Sequence, residues 1–209
     1  MCTLARRTLP CLAVFASVTA AAQDPRLDRL PPESRAPVAV LVDSARAAGL
    51  PVEPLVERAL EGATKHAVRE SIVRALRRLA ADLGRARDAL GAQASPAELG
   101  AGATALRAGA SPELLTELRR TRRTPLTIPL AVLTDLMASG VPVDSAAAAV
   151  LALAAGTRDA DLVEFRRAVE RDIALGASPG AAASAAAAAL SSAGAQSAGR
   201  GQQGHPSRP

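Results

Sequence analysis

Apolar residues recur every three or four positions through most of this chain. The clearest run is Val68, Ile72, Leu76, Leu79, Leu83, Ala86 and Leu90, one apolar stripe along about six helical turns. Arg69, Arg74, Arg77, Arg78, Arg85 and Arg87 fall mostly off it. Glu70 stands four residues before Arg74, and Arg78 four before Asp82. That spacing predicts ion pairs worth a few tenths of a kcal/mol each. Gly84 interrupts the run and is expected to bend or end the helix. A second stripe, Leu162, Phe165, Val169 and Ile173, opens at Asp159 as N-cap and closes at Gly176. No segment has the period-two alternation or the β-branched and aromatic richness of strands.

The punctuation between stripes is equally regular. Gly49-Leu50-Pro51, Ala94-Ser95-Pro96, Gly109-Ala110-Ser111-Pro112, Gly140-Val141-Pro142 and Gly176-Ala177-Ser178-Pro179 are stop–start signals. Gly tolerates the left-handed conformation that ends a helix, Ser caps the next one, and Pro fits its first turn. Ser95 and Glu98 have the spacing of a capping box. The pattern predicts an all-α fold of about eight short helices joined by tight turns.

Two stretches of the chain resemble each other. Val38-Ala39-Val40-Leu41-Val42-Asp43 matches Leu130-Ala131-Val132-Leu133-Thr134-Asp135, and both lead into the Gly49 and Gly140 turns. In each copy a short helix should end at Gly62 or Gly156, then an Arg-rich helix at Gly84 or Gly176. This predicts an internal twofold repeat, a helical bundle or short solenoid-like stack in which neighbours supply the core. Within one helical domain over 36–192, repeat 1 covers 36–109, repeat 2 covers 128–192, and a basic bridge covers 110–127.

The ends differ from this middle. Residues 1–22 carry Arg6 and Arg7, an apolar run from Leu9 to Val18, and Ala20-Ala21-Ala22 before Gln23. That is the layout of a secretory signal peptide, cleaved or retained as an anchor. Residues 23–35 hold Pro25, Pro31 and Pro32 and read as an extended tether. Residues 193–209 are mostly Gly, Ser, Gln and Ala and read as a disordered tail. Export is therefore expected, to the periplasm or beyond, and the Ala- and Arg-rich usage, with Lys65 the only lysine, suggests a GC-rich bacterial genome.

Cleavage would remove Cys2 and Cys11, the only cysteines, and lower the net charge from +5 to +3. Thiol chemistry and disulfides then drop out. The core would rest on Ala and Leu with a single Phe, Phe165, which implies modest stability.

Catalytic constellations are scarce. The two histidines are His66, read as a solvated residue at the start of the long helix, and His205 in the tail. No metalloprotease, P-loop or dinucleotide motif occurs. Asp159, Asp161 and Glu164 lack the Gly and the twelfth-position acid of a calcium loop, and fit a first helical turn instead. Asp135 and Asp144, matched by Asp43 and Glu53, are read as helix-end acids. A two-carboxylate glycosidase is disfavoured because the mature chain would lack Trp and Tyr. The expectation is no enzyme, no cofactor and no metal.

The remaining signal is basic. Arg119, Arg120, Arg122 and Arg123 form the densest charge run and are the candidate contact for an anionic partner. Alternatively they only complement a helix C-terminus and stay solvated. Nucleic acid is not expected, given export and no aromatics for stacking. Residues 173–199 are uncharged, but Ala, Ser and Gly insert weakly, so no membrane span is expected after cleavage. The leading expectation is a non-enzymatic protein-interaction or scaffold module of the bacterial envelope, with a partner bound between the helical halves. The alternative is a carrier of a lipid-like or apolar ligand held between helices, with the basic run near its headgroup.

Overall fold

The computed structural model describes residues 24–202, with side chains described as far as residue 193. The expected signal peptide, residues 1–22, lies outside the described residues, as do residues 203–209. The described fold is all-α. A short 3-10 helix, Pro25–Arg29, precedes α1 (Pro32–Ala47), α2 (Glu53–Thr64), α3 (Arg69–Leu90), α4 (Pro96–Ala108) and α5 (Pro112–Thr121). Then follow α6 (Thr127–Ala138), α7 (Val143–Ala154), α8 (Asp159–Ala174) and α9 (Pro179–Gln202).

The long third helix is the hub of the first half. Its stripe from Ile72 through Leu76, Leu83, Ala86 and Leu90 is buried, and it packs on α1, α2, α4 and α5. Val68 departs from the expectation: it is the N-cap of α3 and largely exposed. In the second half α6 is the hub, touching α4, α7 and α8, while α9 covers α7 and α8. The halves join through α4 on α6 and α5 on α7, leaving one continuous core. Leucine dominates it, with Leu55, Leu76, Leu115, Leu118, Leu130, Leu133 and Leu162 at full burial beside Phe165.

The turns behave as their residues dictate. Gly49 and Gly140 have φ of 70° and 86°. In the first, Leu50 N–H donates to Ala45 C=O at 2.9 Å; in the second, Val141 N–H donates to Leu136 C=O at 3.0 Å. These are the same Schellman closure at matched positions. Helix packing is not the same in both halves, because α2 lies on α3 whereas α7 lies on α6 and α9.

Two glycines expected to end helices do not. Gly62 lies inside α2, and a Cβ there would stand 2.9 Å from Ile72 Cγ1. Its role is close approach to α3, and the helix ends two residues later. His66, with φ 53°, takes the left-handed position there, so it follows α2 rather than opening α3. Gly84 is passed without a break, since α3 runs on to Leu90 and stops at Gly91, φ 90°. The α8 N-cap is Arg158, which places Asp159 at the first helical position.

Both flanks are more ordered than composition predicts. Instead of an extended tether, residues 25–29 form the 3-10 helix and Leu27 and Leu30 are buried against α1 and α2. The two leucines anchor what the prolines alone suggest is loose, and α1 already begins at Pro32. Asp24 caps this turn, accepting from Arg26 N–H at 2.9 Å. The Arg26 guanidinium also spans Asp24 and Glu53, and beside it the Asp24 carboxyl is held at about 2. At the other end the backbone of α9 continues helical to Gln202, into the stretch read as a disordered tail.

Candidate functional site

The basic run at the end of α5 is split by the helix geometry. Arg119 and Arg122 turn inward, while Arg120 and Arg123 are exposed and make no ion pair among the described residues. Arg122 is 8% exposed. Its guanidinium donates to Thr124 Oγ1 at 2.7 Å, Thr157 C=O at 2.7 Å, Ala154 C=O at 3.3 Å and Asp159 Oδ1 at 2.6 Å. It closes the end of α7 and the start of α8, so it is not available to an outside anion. Arg119 donates to Glu98 Oε1, and its own Nε is buried without a partner. The four-arginine contact predicted from sequence is therefore two fold-holding arginines and two surface ones.

Glu98 is the second buried polar centre, 5% exposed. The capping box forms: Glu98 N–H donates to Ser95 Oγ at 3.2 Å, and Ser95 N–H to Glu98 Oε2 at 2.9 Å. Sequence spacing shows that much. It does not show that Leu126 N–H also donates to Glu98 Oε1, at 2.9 Å, tying α4 to the start of α6. Burial pushes this carboxyl up, but the donors from Ser95, Leu126 and Arg119 outweigh it and hold the group at about 2. A carboxylate locked in this way is a structural joint.

Most of the other acids singled out by sequence are also partnered, whereas Asp144 is exposed and makes no ion pair among the described residues. Asp161 bonds Arg158, Glu164 bonds Arg167, and Asp135 bonds Arg166 at 3.1 Å. Asp43 pairs with Arg46. The two expected i,i+4 pairs of α3 give way to other partners: Glu70 meets Arg69, and Asp82 meets Arg85 at 2.7 Å and Arg107 at 3.3 Å. His66 is exposed. Among the described residues no group of three or more His, Cys, Asp or Glu side chains is placed to hold a metal ion. None of the described helices is long and apolar enough to cross a membrane.

An open groove of about 580 Å³ lies between α8 and α9. Phe165, Ala168, Ala186 and Leu190 make its floor, while Glu164, Arg171 and Asp172 stand on the α8 side. Ala185 and Ala189 on α9 are exposed along it. Sequence reasoning places a binding groove between the two halves, where α4 packs on α6 and α5 on α7. The groove lies within the second half, where alanines on α9 leave α8 only partly covered. No known protein family matches this chain, and no curated protein or solved structure is detectably similar to it.

Proposed function

We propose that this chain is a non-enzymatic helical interaction module that receives one helix of a protein partner in the α8–α9 groove. The observation that carries this reading is the groove itself: an apolar floor, one charged wall and an alanine wall. Small side chains on α9 let a third helix approach to the low end of the usual 8–10 Å packing distance. An amphipathic helix would bury its apolar residues on Phe165 and Leu190 and set polar residues against Arg171 and Asp172. The volume lies within the range of about 300–1,000 Å³ for small-molecule sites. An open trough favours a helix over an enclosed lipid. The residues of the N-terminal segment support export and an envelope location, and the matched Gly49 and Gly140 turns support an ancient duplication.

The test is capture from an envelope fraction by the full chain and by Ala189→Arg. Ala189 is exposed on α9, so the arginine fills the groove without entering the core. A partner retained by the parent and lost by A189R supports the reading. Equal capture by both, or a lipid co-purifying with the parent in native mass spectrometry and absent from A189R, overturns it in favour of another surface or a carrier.

A further inference from the structure

The outer face of α3 has charge without partners. Glu70, Arg74, Arg77, Arg78, Ala81, Arg85 and Asp88 are all exposed. At 1.5 Å per residue they form a ridge about 27 Å long. Arg74, Arg77 and Arg78 form no ion pair among the described residues, and the Arg85 fork is only partly used by Asp82. Several other surface cations sit beside an acid within one turn: Arg46 on Asp43, Arg58 and Lys65 on Glu61, Arg158 on Asp161, Arg167 on Glu164. Exposed Arg29, Arg120, Arg123 and Arg171 also lack an ion pair among the described residues, but they do not gather three to one helix face. Arg74 stands i,i+3 and i,i+4 from the other two, where like charges destabilise a helix by a few tenths of a kcal/mol each. The attraction of Arg74 to Glu70 four residues before it is the one favourable charge contact that offsets this repulsion.

The pattern along the ridge is specific. An acid stands at each end, Glu70 and Asp88, with four arginines between them around the small Ala81. A flat anionic membrane would be repelled by both ends. It would also find little apolar anchor, because no large apolar residue within α3 itself is exposed and Val68 stands only at its N-cap. A helix with carboxylates at its centre and cations at its ends matches all three zones. We propose that the α3 face docks an acidic helix of a protein partner, through arginine–carboxylate pairs across Ala81. This surface is separate from the α8–α9 groove, so A189R leaves it intact.

The probe is a synthetic helical peptide with Glu at i, i+4, i+7 and i+11 and Lys at both ends, titrated into the full chain at low salt. Arg74→Gln/Arg77→Gln/Arg78→Gln is expected to weaken binding roughly tenfold, from several rim-type charge pairs lost together. R74K/R77K/R78K is expected to retain most of it. A control triple of equal charge change elsewhere, R29Q/R58Q/R123Q, should shift affinity less than about twofold. Circular dichroism identical to the parent establishes that the variants fold. Equal loss in both glutamine triples, equal binding of a peptide with the same residues scrambled, or no binding to the parent overturns the proposal. So does co-sedimentation of the parent, and not of R74Q/R77Q/R78Q, with phosphatidylglycerol vesicles, which assigns the face to a membrane.

Discussion

Arg122 Nη2 donates to Asp159 Oδ1 at 2.6 Å, so the residue that ends α5 holds the first turn of α8. The same guanidinium takes up the carbonyls of Ala154 and Thr157, which the end of α7 would otherwise leave open. Arg122→Ala is expected to destabilise the fold by about 2–4 kcal/mol, since it orphans buried acceptors as well as removing a pair. Arg120→Ala with Arg123→Ala should stay within about 0.5 kcal/mol, as exposed positions without partners do. Urea denaturation of the three proteins checks the contrast; equal midpoints would contradict the geometry.

Gly62 and Gly84 predict opposite outcomes for one substitution. Gly84→Ala adds a Cβ into open space in the interior of α3. It should stabilise by about 0.5–1 kcal/mol. Gly62→Ala gains the same propensity but drives its Cβ onto buried Ile72, whose branched side chain has little room to yield. It should destabilise by about 1–3 kcal/mol. Thermal melts of both variants test the pair, and stabilisation by G62A would mean that α2 and α3 are not in close contact.

What the sequence makes legible here is what one or two turns of helix determine. The capping box at Ser95 and Glu98, the turns at Gly49, Gly140 and Gly176, and the α3 stripe from Ile72 to Leu90 are local patterns, and each has the expected form. Gly62 shows the limit. A glycine marks either a positive φ or a close approach, and only the partner helix tells which. Leu27 and Leu30 show another, since two leucines among prolines have no period, yet they suffice to dock a segment once α1 and α2 provide a surface. The arginines were the least legible. Whether each faces a carbonyl, a carboxylate or water depends on helices up to 37 residues away in the chain, as with Arg122 and Asp159.

His66 carries strain that a substitution can remove. With φ of 53° it is the only described non-glycine residue in the left-handed region, at the point where Ala67 N–H closes back on Gly62 C=O at 2.9 Å. Its side chain is exposed. His66→Gly should stabilise by about 1 kcal/mol through relief of the Cβ clash. His66→Val should cost at least as much, because β-branching is worst at positive φ. A melting temperature unchanged by either variant would show that the α2 end relaxes freely.

Glu98 gives the acid limit of the fold a specific origin. Its folded value of about 2 lies below the ordinary 4.5, so the folded state favours the carboxylate over the acid. The stabilisation is complete above the unfolded value and is lost as pH falls through 4.5 towards 2. The shift corresponds to about 3 kcal/mol. Glu98→Gln removes that dependence, because an amide has no charge to lose and presents one acceptor where the carboxylate presents two. The variant should therefore be less stable than the parent by about 2–3 kcal/mol at pH 7. The gap should close to within about 1 kcal/mol near pH 2, where the parent carboxyl is itself becoming protonated. Urea midpoints of both proteins across this range measure it. A gap that stays constant from pH 7 to pH 2 would show that Ser95, Arg119 and Leu126 do not select the ionised form.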